Sequence, residues 1–148
     1  MQDRIYRILD ANFNRLREGL RVVEEYFRFI EENEGVCVSL KQMRHLLTGM
    51  EKVIGQDALL AGRDTENDCF ASEARPEEMS RVCAGDVLCA NFKRAQEASR
   101  VIEEYAKICG AGHHEHDQVS RNAKEIRFAL YELQKSAAQG NRPATGLC

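Results

Sequence analysis

Apolar residues recur at spacings of three and four along most of the chain. Leu9, Phe13, Leu16, Leu20, Val23, Phe27 and Ile30 fall in one arc of a helix, and Phe92, Ala95, Ser99, Ile102, Ala106 and Cys109 repeat most of it. Leu40, Met43, Leu47, Met50 and Ile54 trace another inner face. The periodicity predicts two long helices over roughly 3–32 and 86–109, and two returning helices over roughly 36–54 and 117–138. Asp3 suits the first helix start, Asn33 and Gly35 read as stop signals for that helix, and Gly55 reads as the stop of the second.

The polar positions are duplicated as faithfully as the apolar ones. Asp10 to Ile30, DANFNRLREGLRVVEEYFRFI, returns 79 positions later as CANFKRAQEASRVIEEYAKIC, Cys89 to Cys109. A stripe of Asn12, Arg15, Gly19, Val22 and Tyr26 is matched by Asn91, Arg94, Ala98, Val101 and Tyr105, with Gly19 and Ala98 small where two helices need to come close. A repeat shifted by 83 aligns SLKQMRHLLTGMEK with NAKEIRFALYELQK and places Lys41 opposite Lys124, Arg44 opposite Arg127 and Leu47 opposite Leu130. The expected fold is all-α, a tandem helical-hairpin repeat forming a pseudo-two-fold four-helix bundle with a helical and loop insertion. One helical domain spans 1–138, with halves 1–54 and 86–138, an insertion at 55–85 and a disordered tail at 139–148.

Duplicated packing needs only the hydrophobic pattern, so the repeated charges imply a further role. A local two-fold would bring Asn12, Arg15, Glu18 and Arg21 of one half to face Asn91, Arg94, Glu97 and Arg100 of the other around one polar pocket. The alternative is an interhelical salt-bridge network, or i,i+3 pairs on a wet surface.

The chain has 148 residues, 43% of them hydrophobic, which allows one domain with a real core. A net charge of -3 leaves no footprint for nucleic acid or an anionic membrane, and no apolar run approaches a membrane span or a signal-peptide core. A cytoplasmic protein is expected. The six cysteines lack zinc-like spacing and read as buried free thiols. Of the 21 basic residues most are Arg, whose planar fork suits a bound carboxylate or phosphate.

The insertion predicts a short helix over 57–61, a loop, and a second short helix entered at Pro76. Its loop gathers Arg63, Asp64, Thr65 and Asp68, which suit either Mg²⁺ or helix capping. His113, His114 and His116 read as a solvated connector rather than a metal site. Glycine-rich nucleotide loops are absent. Arg28 and Lys107 stand three residues after Glu25 and Glu104, where a ferritin-like centre needs His.

RILDANFNRLREGLRVVEEYFRF, LKQMRHLL, RDTENDC and ANFKRAQEASRVIEEYAK resemble the helical domain often found amino-terminal to thiamin phosphate synthase in bacteria. The resemblance covers about residues 4–135 and implies a monofunctional hydroxymethylpyrimidine phosphate kinase, which moves the γ-phosphoryl of ATP onto a pyrimidine phosphate with Mg²⁺. On that reading Glu18, Glu97 and Asp64 are the catalytic candidates, and Asp64 and Asp68 hold the metal. Asn12, Arg15, Arg21, Arg44, Arg63, Arg81, Asn91, Arg94, Arg100 and Arg127 are the phosphate and substrate contacts, and the insertion closes over the pocket. The family loop runs R-D-T-x-x-D-x-G, whereas Phe70 stands at the position of that glycine. A chain of this length does not hold the synthase barrel as well. The second reading is a non-catalytic helical module that docks on, or oligomerises with, thiamin phosphate synthase. The synthase and a second copy of the chain are then the expected partners, beside the small-molecule pyrimidine phosphate and nucleotide.

Overall fold

The structure, a computed structural model, describes residues 2–69, 80–109 and 114–140. It contains α1 Gln2–Phe29, α2 Glu34–Ile54, α3 Gln56–Gly62, α4 Ala84–Tyr105 and α5 His114–Gly140, with no strand among the described residues. None of these helices is long and apolar enough to cross a membrane.

Local chemistry explains the boundaries. α1 ends at Phe29, before the expected stop, and Glu32 takes the left-handed conformation at φ 51°. Asn33, expected to terminate α1, instead opens α2, where its side chain accepts a hydrogen bond from the Val36 N–H at 3.1 Å. Gly55 ends α2 at φ 101°, with its N–H donating to the Glu51 carbonyl at 2.9 Å. At the start of α4 the Asp86 carboxylate accepts from the Val82 N–H at 3.0 Å and the Cys83 N–H at 3.4 Å.

The four long helices form a ring in which α1 packs on α2 and α4, and α5 packs on α4 and α2. Gly19 lies against Asn91 and Ala95, while Tyr6 bonds the Cys109 thiol, so α1 and α4 run antiparallel. A Cβ on Gly19 would stand 3.1 Å from both the Ala95 Cβ and the Asn91 carbonyl oxygen; the small residue sets how closely the duplicated helices cross. Inside the ring Phe13, Leu16, Leu20, Leu40, Leu47, Phe92, Ile102, Ile126 and Leu130 are buried. Each such side chain contributes roughly 1.5–3 kcal/mol by leaving water. Ile30 is an exception to the expected arc: it lies past the end of α1 and is exposed.

Short α3 lies across the start of α1. Gly62 makes this possible, because a Cβ there would stand 2.9 Å from the Arg7 nitrogen and 3.0 Å from the Tyr6 Cβ. α5 runs on to Gly140, so the first two positions of the expected tail are helical. It also starts at His114, which makes the histidine connector shorter than expected and places His116 in a helix, its Nδ1 against the Cys109 carbonyl. The helix expected at Pro76, His113 and the tail from 141 lie outside the described residues. Cys37, Cys69, Cys89 and Cys109 are free thiols, of which only Cys109 is buried. The exposure of Cys69 and Cys89 corrects the expectation that the thiols are buried.

Candidate functional site

The repeat builds one polar cluster in each hairpin. In the first, Glu24 of α1 turns inward and accepts from Arg44 of α2 at 2.5 Å and from Arg21 at 3.3 Å, while Arg21 also reaches Glu25 at 3.5 Å. In the second, Glu103 of α4 accepts from Arg127 of α5 at 2.7 Å and from Arg100 at 2.8 Å, and Arg100 reaches Glu104 at 2.8 Å. Burial leaves Glu24 and Glu103 8% and 6% exposed, and a carboxylate so placed needs its cations. Asn12 and Asn91 are also equivalent, each side-chain amide donating at 2.8 Å to the carbonyl four residues back, Ile8 and Val87.

These contacts account for Arg21 and Arg100 of the expected shared pocket and leave the other charges of the two sets on the surface. Arg21 and Arg100 are about half exposed and pair along their own helices at i,i+3 and i,i+4, and Arg15, Glu18, Arg94 and Glu97 are exposed, with no hydrogen bond or ion pair to any described residue. Arg44 and Arg127 lie at the cluster centres, as the paired arginines of Glu24 and Glu103. Hydrogen bonding to Tyr131, and then to Glu103, pushes the Arg127 pKa further up.

The described part of the insertion sits elsewhere. Arg63 grips buried Asp10 of α1 through two hydrogen bonds of 2.8 Å, which raise its pKa. The Asp64 carboxylate accepts from the Asn67 side chain at 2.9 Å and the Asn67 N–H at 3.2 Å, and pairs with Arg7 at 3.2 Å. The Asn67 side-chain bond is the first cause of its lowered pKa. This is turn chemistry of the capping kind. Arg81 donates to the Ser80 carbonyl, and Asp68 is an exposed residue of the same loop. Among the described residues, no group of three His, Cys, Asp or Glu could hold a metal ion.

Sequence reasoning overlooked Glu24, Glu103, Asp10 and Glu51. The first two carried a signal, the duplicated R-V-x-E-E-Y in which each stands three residues after a repeated Arg. Asp10 and Glu51 pair with Arg63 and Arg17 across the fold, and nothing local marks them.

The two clusters differ in what surrounds them. Beside Glu24, α1 and α2 flank a groove of about 810 Å³ lined by Arg17, Arg21, Lys41, Arg44, His45 and Thr48 among others. At the equivalent positions of α5, Phe128 and Tyr131 stand for His45 and Thr48, with their rings edge to face at 5.8 Å and Arg127 stacked 5.0 Å above Phe128. The Arg17–Glu51 ion pair becomes a hydrogen bond between Gln96 and Gln134 at 2.7 Å. Cys37, whose thiol lies against the Glu24 carbonyl, becomes Ser120, which bonds the Glu103 carbonyl at 2.8 Å. Burial, and then the Glu24 charge, raise the Cys37 pKa. A second groove, of about 530 Å³ and mainly apolar, lies between α2 and α5 and includes Met43, Leu46, Ile126, Ala129 and Leu133.

Residues 7–136, which take in all of α2 and α4 and most of α1 and α5, match the ThiD2 family model. The chain belongs to the ThiD2 family. It is 39% identical over 133 residues to a thiamine-phosphate synthase of Thermosynechococcus vestitus, covering 90% of this chain and 35% of that protein. It is 40% identical over 130 residues to a thiamine-phosphate synthase of a Synechocystis species, covering 88% and 35% respectively. A thiamine-phosphate synthase of Gloeobacter violaceus is 39% identical over 137 residues, 93% of this chain and 37% of that protein. This ThiD2 chain thus spans little more than a third of the length of these curated relatives. No solved structure matches it. The findings overturn the expected hydroxymethylpyrimidine phosphate kinase: these relatives carry the name of the synthase, and the matched family is the helical ThiD2 domain.

Proposed function

We propose that this ThiD2 chain is a non-catalytic helical module of thiamine biosynthesis that docks on thiamine-phosphate synthase. One observation carries the reading: proteins named thiamine-phosphate synthase contain a match to nearly all of this chain within about a third of their length. In those relatives the matched region and the rest of the protein share one polypeptide, and the docking proposed for this chain keeps the two in contact. The charge arrangement supports a non-catalytic role, since the buried carboxylates of both clusters are held by paired arginines. The groove between α2 and α5 supplies an apolar surface for docking, with Leu46, Ala129 and Leu133 half-buried along it.

Titration of this chain into thiamine-phosphate synthase of the same organism, followed by calorimetry, tests the reading. A saturable complex is expected, weakened about tenfold or more by Leu46→Lys or Ala129→Lys and unaffected by Lys52→Ala on the exposed surface. Absence of heat at about 100 µM, an affinity limit near 5.5 kcal/mol, would remove it.

A further inference from the structure

We propose that the outer face of the α1–α4 pair is the surface on which two copies of this chain associate. Most of the duplicated charges are used inside the molecule: Arg21, Glu24 and Arg44, like Arg100, Glu103 and Arg127, are committed to ion pairs. Arg15 with Glu18, and Arg94 with Glu97, are equally duplicated but exposed, and no described residue bonds them. One turn beyond each pair lies a half-buried valine, Val22 after Glu18 on α1 and Val101 after Glu97 on α4.

The antiparallel crossing orders these charges. Gly19 lies level with Asn91 and Ala95, so four residues back along α1 corresponds to four forward along α4. Arg15 is therefore level with Glu97, and Glu18 with Arg94. The two levels are separated by about 4.5 Å along the helix axes. The face carries two positive and two negative charges in alternation around the local two-fold. An identical face laid on it by a two-fold along the helices puts Arg15 over Glu97 and Glu18 over Arg94 of the other copy. A two-fold across the helices puts Arg15 over Glu18 and Arg94 over Glu97. Either way every Arg meets a Glu, the self-complementarity that an isologous contact requires, while Val22 and Val101 add apolar surface at the two ends of the charged square. A partner with one sign of charge would meet repulsion at half of the four positions, which is why a second copy is the occupant.

Sedimentation velocity on this chain alone tests the proposal, and needs no synthase, so its failure is distinct from failure of the docking reading. A monomer–dimer equilibrium is expected with a Kd of roughly 10–100 µM at about 50 mM salt, weakened about tenfold at about 500 mM salt. The double variant Arg15→Glu with Arg94→Glu gives an all-acidic face and should be monomeric. The double variant Glu18→Arg with Glu97→Arg gives an all-basic face and should be monomeric too. Mixed together, the two should restore the dimer. Circular dichroism should show unchanged helicity, since the four side chains make no internal bond. A wild-type chain that stays monomeric at about 500 µM in low salt, or variants that dimerise alone as the wild type does, would overturn it. So would variants that remain monomeric when mixed.

Discussion

Glu24 and Glu103 occupy equivalent positions, yet they differ in how far their partners are removed from water. The Glu103–Arg127 pair has side chains 8% and 14% exposed, whereas Arg44 beside Glu24 is 33% exposed. Removing a buried carboxylate leaves guanidinium groups without their counter-charge, and the penalty falls as solvent reaches them. Glu103→Ala should cost about 3 kcal/mol and Glu24→Ala about half of that, read as the difference in urea midpoints multiplied by the common slope. Equal losses would mean that solvent access to the arginine does not control the difference. Which carboxylate of the E-E dipeptide turns inward is not written in the dipeptide itself. Glu24 and Glu25 differ by about 100° around α1, and only the placement of Arg44 on α2 selects the first. Sequence reasoning therefore found the repeated charges but assigned the site to Glu18 and Glu97, six residues earlier on the exposed side.

The elements were more legible than their contacts. Helix positions follow from periodicity and from Gly55, and the α1–α4 crossing from the small residues of the duplicated stripe. The placement of α3 was hidden because it rests on the approach of one backbone to another at Gly62, which no periodicity records. Gly62 sits between α3 and the Tyr6–Arg7 backbone, where a Cβ would come within 2.9 Å of a main-chain nitrogen. A main-chain atom of α1 has little freedom to yield, so α3 must move. Gly62→Ala should destabilise the protein by about 1–3 kcal/mol and loosen the Arg63 grip on Asp10. Hydrogen exchange at the amides of α3 should accelerate well before those of α4; unchanged protection with unchanged stability would contradict this account.

At the scale of the whole molecule, acid weakens the fold through groups far apart. The Asp64 carboxyl is held below its usual value first by the Asn67 side chain, and that of Glu104 first by Lys107. A depressed folded-state pKa means that the stabilisation is complete above the ordinary carboxylate value of about 4 and is lost as pH falls through the lower folded value. Urea midpoints should therefore drop below about pH 4, and the double variant Asp64→Asn with Glu104→Gln should show a shallower drop there with the same dependence between about pH 6 and 8. A drop as steep as that of the wild type would place the acid sensitivity in other carboxylates. The antiparallel α1–α4 contact also governs what happens while the chain is being made. The partner that seals one flank of α1 lies 79 positions downstream, beyond α2 and the whole insertion. At roughly 5–20 residues per second, about 4–15 s pass between synthesis of the end of α1 and the end of α4. During that interval the nascent first hairpin shows the ribosome surface, and any neighbouring nascent chain, an apolar stripe shaped to receive a helix built on the same repeat as α1. Slower translation of the insertion would lengthen this exposure and favour exchange of hairpins between chains emerging from one polysome.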